Sequence, residues 1–215
     1  MNTIVKLQNI FFALFLSIII SACASSTHKT NITTPELSKE GQWECKAQLK
    51  NLVKNESHVV SLDVFAIKPN NLRLEATGPL GIRLASVLLT EQQFTAVEYT
   101  QQKAYIGTAK SKSFASVLKI PIEPNWFYNI FFDEPLTAPG WKCSFDNNKV
   151  VKECNNTQAQ FKIEWLDRVE DNKRIVISNP QYQLNILTKE HQPKVEHPDK
   201  VFHLKIPDNY TKIQI

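Results

Sequence analysis

What most constrains this chain is a period of two that keeps returning. From Trp43 onward, short runs alternate apolar and polar side chains and are joined by links of hairpin length. Alternation of this kind places one face of a strand in a core and the other in water. Leu72, Leu74 and Ala76 alternate with Arg73, Glu75 and Thr77, and Ala159, Phe161, Ile163 and Trp165 alternate with Gln158, Gln160, Lys162 and Glu164. Read this way, strands fall at residues 43–49, 59–67, either side of a loop within 72–90, then 94–100, 104–107, 141–145, 149–154, 159–165, 174–178, 182–187, 201–206 and 210–215. From these thirteen runs a sheet of about ten or eleven strands is expected. A mainly β (α+β) fold follows: one antiparallel sheet curled into a barrel or half-open barrel.

Such a sheet has an apolar face that something must cover. Between residues 108 and 140 the pattern changes. Ser113 is placed to cap a short helix carrying Phe114, Val117 and Leu118, stopped by Pro121. Pro124 suits the first turn of a second helix over 125–132, made almost wholly apolar by Trp126, Phe127, Ile130 and Phe131. These two short helices are the expected lid.

The loop within 72–90 has its own chemistry. Gly78-Pro79-Leu80-Gly81 is a turn with a large apolar side chain at its tip, after which Ile82 and Leu84 alternate with Arg83 and Ala85. Leu80 either folds back onto a neighbouring strand or is held out to touch a membrane or an acyl chain.

Other function classes find little support. The 215 residues, 42 % of them hydrophobic, suffice for one domain with a sizeable core. A net charge of +4, without a basic run interleaved with aromatics, gives no nucleic-acid signature. The five glycines form neither GxGxxG nor GxxxxGK, so no nucleotide cofactor is expected. His191 and His197 stand near Glu190, Glu196 and Asp199, but their spacing fits no helical ligand pair, and Pro193 and Pro198 mark a solvated loop. No GxSxG elbow, cysteine–histidine motif or catalytic carboxylate pair is evident, so the chain is read as a non-enzyme without metal.

The N-terminus reads as targeting. Lys6 precedes an apolar run over 10–20, too short to span a membrane comfortably, which ends Ile20-Ser21-Ala22-Cys23. This resembles the bacterial lipobox, in which the cysteine is acylated and becomes the new N-terminus. The expected organisation is a removed signal peptide over 1–22, a lipidated Cys23 with a polar tether over 23–41, and a domain over 42–215. Ala24, rather than Asp, after the cysteine favours the outer membrane, with the domain facing the periplasm. In that oxidising compartment Cys143 and Cys154, on the two arms of one hairpin at similar distance from its turn, are expected to pair and leave Cys45 free.

Two stretches resemble the LolB family of outer-membrane lipoprotein receptors. One is residues 72–84 with the Pro79-Leu80-Gly81 loop. The other is LKIPIEPNWFYNIFFDEPLTAP, residues 118–139, with its Pro-Ile pair, amphipathic helix and Pro-containing exit. The resemblance implies a half-open antiparallel barrel with a helical lid around an apolar cavity. It implies acylated lipoproteins as clients, a LolA-like periplasmic carrier as partner, and Leu80 as the residue that helps deliver clients into the membrane. The candidate cavity residues are Leu62, Val64, Leu74, Ile82, Leu84, Phe114, Trp126, Phe127, Ile130, Phe131, Phe161 and Ile163. No cofactor is implied, and a monomer is expected. The rival expectation is a structural or protein-binding lipoprotein with the same barrel filled by its own side chains. A void of several hundred Å³ would distinguish the two.

Overall fold

The computed structural model describes residues 39–108, 124–170 and 172–215. In chain order these hold β1 (Glu40–Asn51), β2 (Glu56–Ile67), β3 (Asn71–Thr77), β4 (Arg83–Leu89), β5 (Gln93–Glu98) and β6 (Lys103–Thr108), then helix α1 (Pro124–Phe131). After it come β7 (Trp141–Phe145), β8 (Val151–Asn156), β9 (Phe161–Val169), β10 (Asn172–Ser178), β11 (Tyr182–Gln192), a one-turn helix α2 (Pro198–Val201) and β12 (Thr211–Gln214). The first expected helix, with Phe114, and the anchor Cys23 lie outside the described residues.

All twelve strands join one sheet in the order β12-β6-β5-β4-β3-β2-β1-β11-β10-β9-β8-β7, and the two end strands do not pair with each other. The fold is therefore mainly β, an open sheet curled as a half-open barrel. The curl can be shown from two neighbouring side chains of α1. Phe127 shares a hollow with Val87 of β4, while Trp126 packs edge-on against Trp141 of β7, ring centroids 5.0 Å apart. Those strands are eight positions apart, about 38 Å in a flat sheet at ~4.8 Å per strand. One helix reaches both only because the sheet wraps around it.

The inner face is filled row by row. Trp43, Val64, Leu74, Val87 and Ala96 are successive cross-strand partners from β1 to β5 and all are buried. Ile163, Trp165, Ile175, Ile177, Leu184 and Ile186 continue this face through β9, β10 and β11. α1 is seated on them by more than apolar contact. Its last turn leaves carbonyls without helical partners. Trp165 Nε1 donates to the Ile130 carbonyl at 2.9 Å, and Lys173 Nζ donates to the Phe131 carbonyl at 2.7 Å. A cation there also meets the negative end of the helix dipole. Asp133 then adopts a left-handed conformation (φ 54°), and Glu134 N–H donates back to the Asn129 carbonyl at 2.8 Å, a Schellman closure.

Three sequence expectations are corrected. Ile82 and Leu84 do not share the inner face with Leu74. The register slips between Ala76 and Thr77, where Ala76 faces Ala85 and Thr77 faces Arg83. Leu84 is the extra residue of this bulge, so Ala85, Val87 and Leu89 take the inner face instead. Residues 201–206 are not a strand. Phe202, Leu204 and Ile206 are half-buried in alternation, but Arg73 of β3 takes the carbonyls of Val201 and His203 with its guanidinium. The segment lies across the outer face and does not extend the sheet. The sheet is also not wholly antiparallel, because β12 pairs β6 in parallel. From β11 the chain must cross the outer face to reach β6, and it arrives running in the same direction. This strap lies over the face where Ser86, Leu88, Thr95, Val97 and Ala104 are buried.

Candidate functional site: an apolar groove beside an exposed leucine

The next inner row toward the β3–β4 loop is built from smaller side chains. Cys45, Leu62, Ala76 and Ala85 are successive cross-strand partners, followed outward by Ala47 with Val60 and by Leu49 with His58. Where a neighbouring row has tryptophan, valine and leucine, this one has alanines. The difference leaves a hollow of about 200 Å³ lined by Ala47, Leu49, His58, Val60, Leu62, Leu74, Ala76, Ala85, Val87, Phe127 and Leu184. Its wall is apolar except for His58. The volume gives room for roughly seven water-sized groups at about 30 Å³ each.

The hollow extends toward the end of the sheet that carries the β3–β4 loop, where Leu49 and the exposed His58 are its outermost lining pair. There Leu80 is 99 % exposed with φ 60° and ψ 20°. A left-handed non-glycine residue costs roughly 1–2 kcal/mol, and here nothing is buried in exchange. Gly81 follows with φ 73°, a conformation glycine adopts freely. The loop is held from beneath: Gly78 N–H donates to the Ile82 carbonyl at 2.8 Å. Leu84 packs under Gly78 so closely that a Cβ on Gly78 would sit 3.2 Å from a Leu84 methyl. A rigid loop thus presents one large apolar side chain to solvent, with Ile82 beside it, 58 % exposed.

The sequence-derived cavity residues separate into groups. Leu62, Leu74 and Phe127 line the hollow. Val64, Ile130, Phe131, Phe161 and Ile163 are solid core. Trp126 is half-buried against Trp141 and Phe161. Ile82 is in solvent and Leu84 supports the loop, both displaced by the bulge. Ala47, Leu49, His58, Val60, Ala76, Ala85, Val87 and Leu184 also line the hollow but were not singled out from the sequence. Half of the signal was present: Ala76 is a small residue at an inward position of β3, whereas Ala85 faces inward only through the register slip.

A second hollow of similar volume lies at the C-terminal end of α1, where Trp43, Phe131 and Phe132 meet Asp133, Arg168 and Lys173. Lys173, nearly fully buried, is paired there with Asp133 at 2.9 Å, and Arg168 lies 3.5 Å from the same carboxylate. Burial pushes the Lys173 ammonium below its ordinary pKa, and the Asp133 charge opposes that shift. This cluster anchors the helix. On the outer face Glu44, Asp63 and Glu75 are direct cross-strand neighbours. Burial, then the two glutamates, raise the Asp63 pKa. Among the described residues no group of three or more His, Cys, Asp or Glu side chains is arranged to hold a metal, and no helix is long and apolar enough to cross a membrane. Cys143 and Cys154 are bridged across β7 and β8, their Cα atoms 4.1 Å apart. Cys45 is free and buried, its thiol pushed up to about 12 by burial.

Compared as a sequence, the chain matches no protein-family model and no curated protein. Compared as a structure, it is similar to a DUF1329 family protein from Desulfovibrio piger, with a TM-score of 0.51 and 9 % identity over 78 % of this chain and 91 % of the other. A LolA superfamily protein from Nitrosomonas europaea aligns with a TM-score of 0.48 and 9 % identity over the same shares of the two chains. An uncharacterized conserved protein from Thermus thermophilus aligns with a TM-score of 0.47 and 9 % identity, over 83 % of this chain and 92 % of the other. At this identity the first of these likenesses speaks for a shared fold.

Proposed function

We propose that this protein is a lipid-anchored receptor of the LolB type. It accepts the acyl chains of lipoproteins from a LolA-like periplasmic carrier and passes them into the outer membrane, to which Cys23 anchors it. The observation that carries the reading is the pairing of an apolar groove with a wholly exposed leucine at the same end of the sheet. The groove gives a chain shelter at ~0.8 kcal/mol per buried methylene, about 5–6 kcal/mol for the roughly seven groups it holds. Leu80 gives the same end of the molecule an apolar foothold in a bilayer. Handover needs no nucleotide if each step runs downhill. The resemblance of residues 72–84 and 118–139 to the family, and the lipobox, support the same reading.

One observation favours the rival reading, a scaffold lipoprotein. At about 200 Å³ the groove falls below the 300–1,000 Å³ usual for ligand pockets, so it takes part of one chain and not several. The discriminating experiment is transfer of an acylated lipoprotein from a LolA-like carrier to membrane vesicles, with and without this protein. Accelerated transfer, with client cross-linked to groove residues on the way, supports the receptor. Unchanged transfer with a stable, lipid-free protein refutes it.

A further inference from the structure

We infer that the β1–β2 turn is a second membrane contact and that it selects anionic bilayers. β1 and β2 stay paired to Asn51 and Glu56, whereas β3 ends opposite Ser61, so this hairpin runs on past the last β3 pair. At its tip Val53 is 74 % and Leu52 51 % exposed. The tip is built and not floppy. Asn51 Oδ1 accepts from the backbone N–H groups of Val53 and Lys54, at 3.1 and 3.0 Å, and Leu52 N–H donates to the Gln181 carbonyl at 2.8 Å. Two apolar side chains are thereby fixed outward between Lys50 and Lys54.

Charge tells which surface this end meets. Strand register puts five turns at the Leu80 end: residues 52–55, 78–82, 99–102, 157–160 and 179–181. None of these five hairpin turns contains aspartate or glutamate; the turn that enters β12 beside residues 99–102 brings one acid, Asp208, to this end. Lys50, Lys54 and Arg83 flank them; Glu56 opposes, and Glu98 faces Lys103 across β5 and β6. The turns at the other end carry Glu91, Asp146 and Glu170 beside Lys68 and Lys149. Exposed aliphatic side chains bordered by cations fit the headgroup region of a bilayer containing acidic lipid.

This inference rests on the receptor reading only in assuming that the Leu80 end meets the bilayer, and its test separates the two. The full-length protein is bound to vesicles of phosphatidylcholine alone, or of phosphatidylcholine with phosphatidylglycerol, and amide exchange is followed residue by residue. The amides of residues 52–56 should exchange about tenfold more slowly on the acidic vesicles, and a Lys50→Glu/Lys54→Glu variant should lose that difference. Equal exchange on both vesicles overturns the inference, as does protection that survives the double charge reversal. Lipoprotein transfer that continues without such protection overturns this inference and leaves the receptor reading intact; protection without transfer does the reverse.

Discussion

Replacing Ala76 with leucine puts the groove itself to the test. Ala76 and Ala85 face each other on its floor, and a leucine adds three carbons where the hollow lies. If the hollow is real, those carbons enter empty space. Folding stability should then hold within about 0.5 kcal/mol or rise, whereas over-packing a filled core costs about 1–3 kcal/mol. Each added carbon displaces one methylene of a bound chain at ~0.8 kcal/mol, about 2.4 kcal/mol in all. At about 1.4 kcal/mol per factor of ten, affinity for an acyl chain should fall roughly 50-fold. The assays are urea unfolding, and titration with a fluorescent fatty acid. A loss of more than about 1 kcal/mol in stability would show the site to be packed solid. Unchanged fatty-acid affinity in a stable variant would show that chains bind elsewhere. Either result removes the physical basis for the acceptor reading.

Other perturbations follow from single features. Leu80→Glu removes a side chain that buries nothing, so unfolding in urea should shift by less than about 0.5 kcal/mol; client acceptance should persist while insertion into vesicles fails. A marked destabilisation would mean the leucine packs in solution. Tyr128 is buried with its hydroxyl unpartnered, and burial raises its pKa; Tyr128→Phe should stabilise by about 1 kcal/mol in thermal or urea unfolding, and a loss of stability would reveal a partner. Asp63 has its pKa raised by burial and by Glu44 and Glu75. The native state therefore holds the proton more tightly, and stability present below the unfolded value of 3.8 is lost as pH rises through the folded value. Asp63→Asn should gain a few tenths to about 1 kcal/mol at pH 7, with the gain vanishing near pH 3. A gain equal at both pH values would contradict the charge argument.

The apolar–polar alternation determined most of the architecture by itself. One-sided burial is a local property that each strand carries in its own residues, so the β runs, their hairpin links and the apolar second helix could be read from the chain. The inward set on β3 and the position of Leu80 at the apex of the Gly78–Gly81 turn were equally local, but whether that leucine folds back or stands in solvent was decided by the structure. Residues 201–206 mark the limit of that logic. Alternation reports that one side is buried, not whether the segment adds to a sheet edge or lies across its face, and the Arg73 guanidinium decided that. The bulge at Leu84 is likewise invisible in sequence, because a one-residue slip leaves the pattern apolar while exchanging which residues face inward. The groove was the least legible part. Large apolar side chains mark a core as readily as a cavity, and Val64, Ile130, Phe131 and Ile163 fill the core. Hollows arise where side chains are small and the opposing wall is held off. Whether Ala47, Ala76 and Ala85 leave a void depends on where Phe127 comes to rest. Its position is set by the curl of twelve strands and by Trp165 and Lys173 gripping the far end of α1, contacts that join residues more than thirty positions apart.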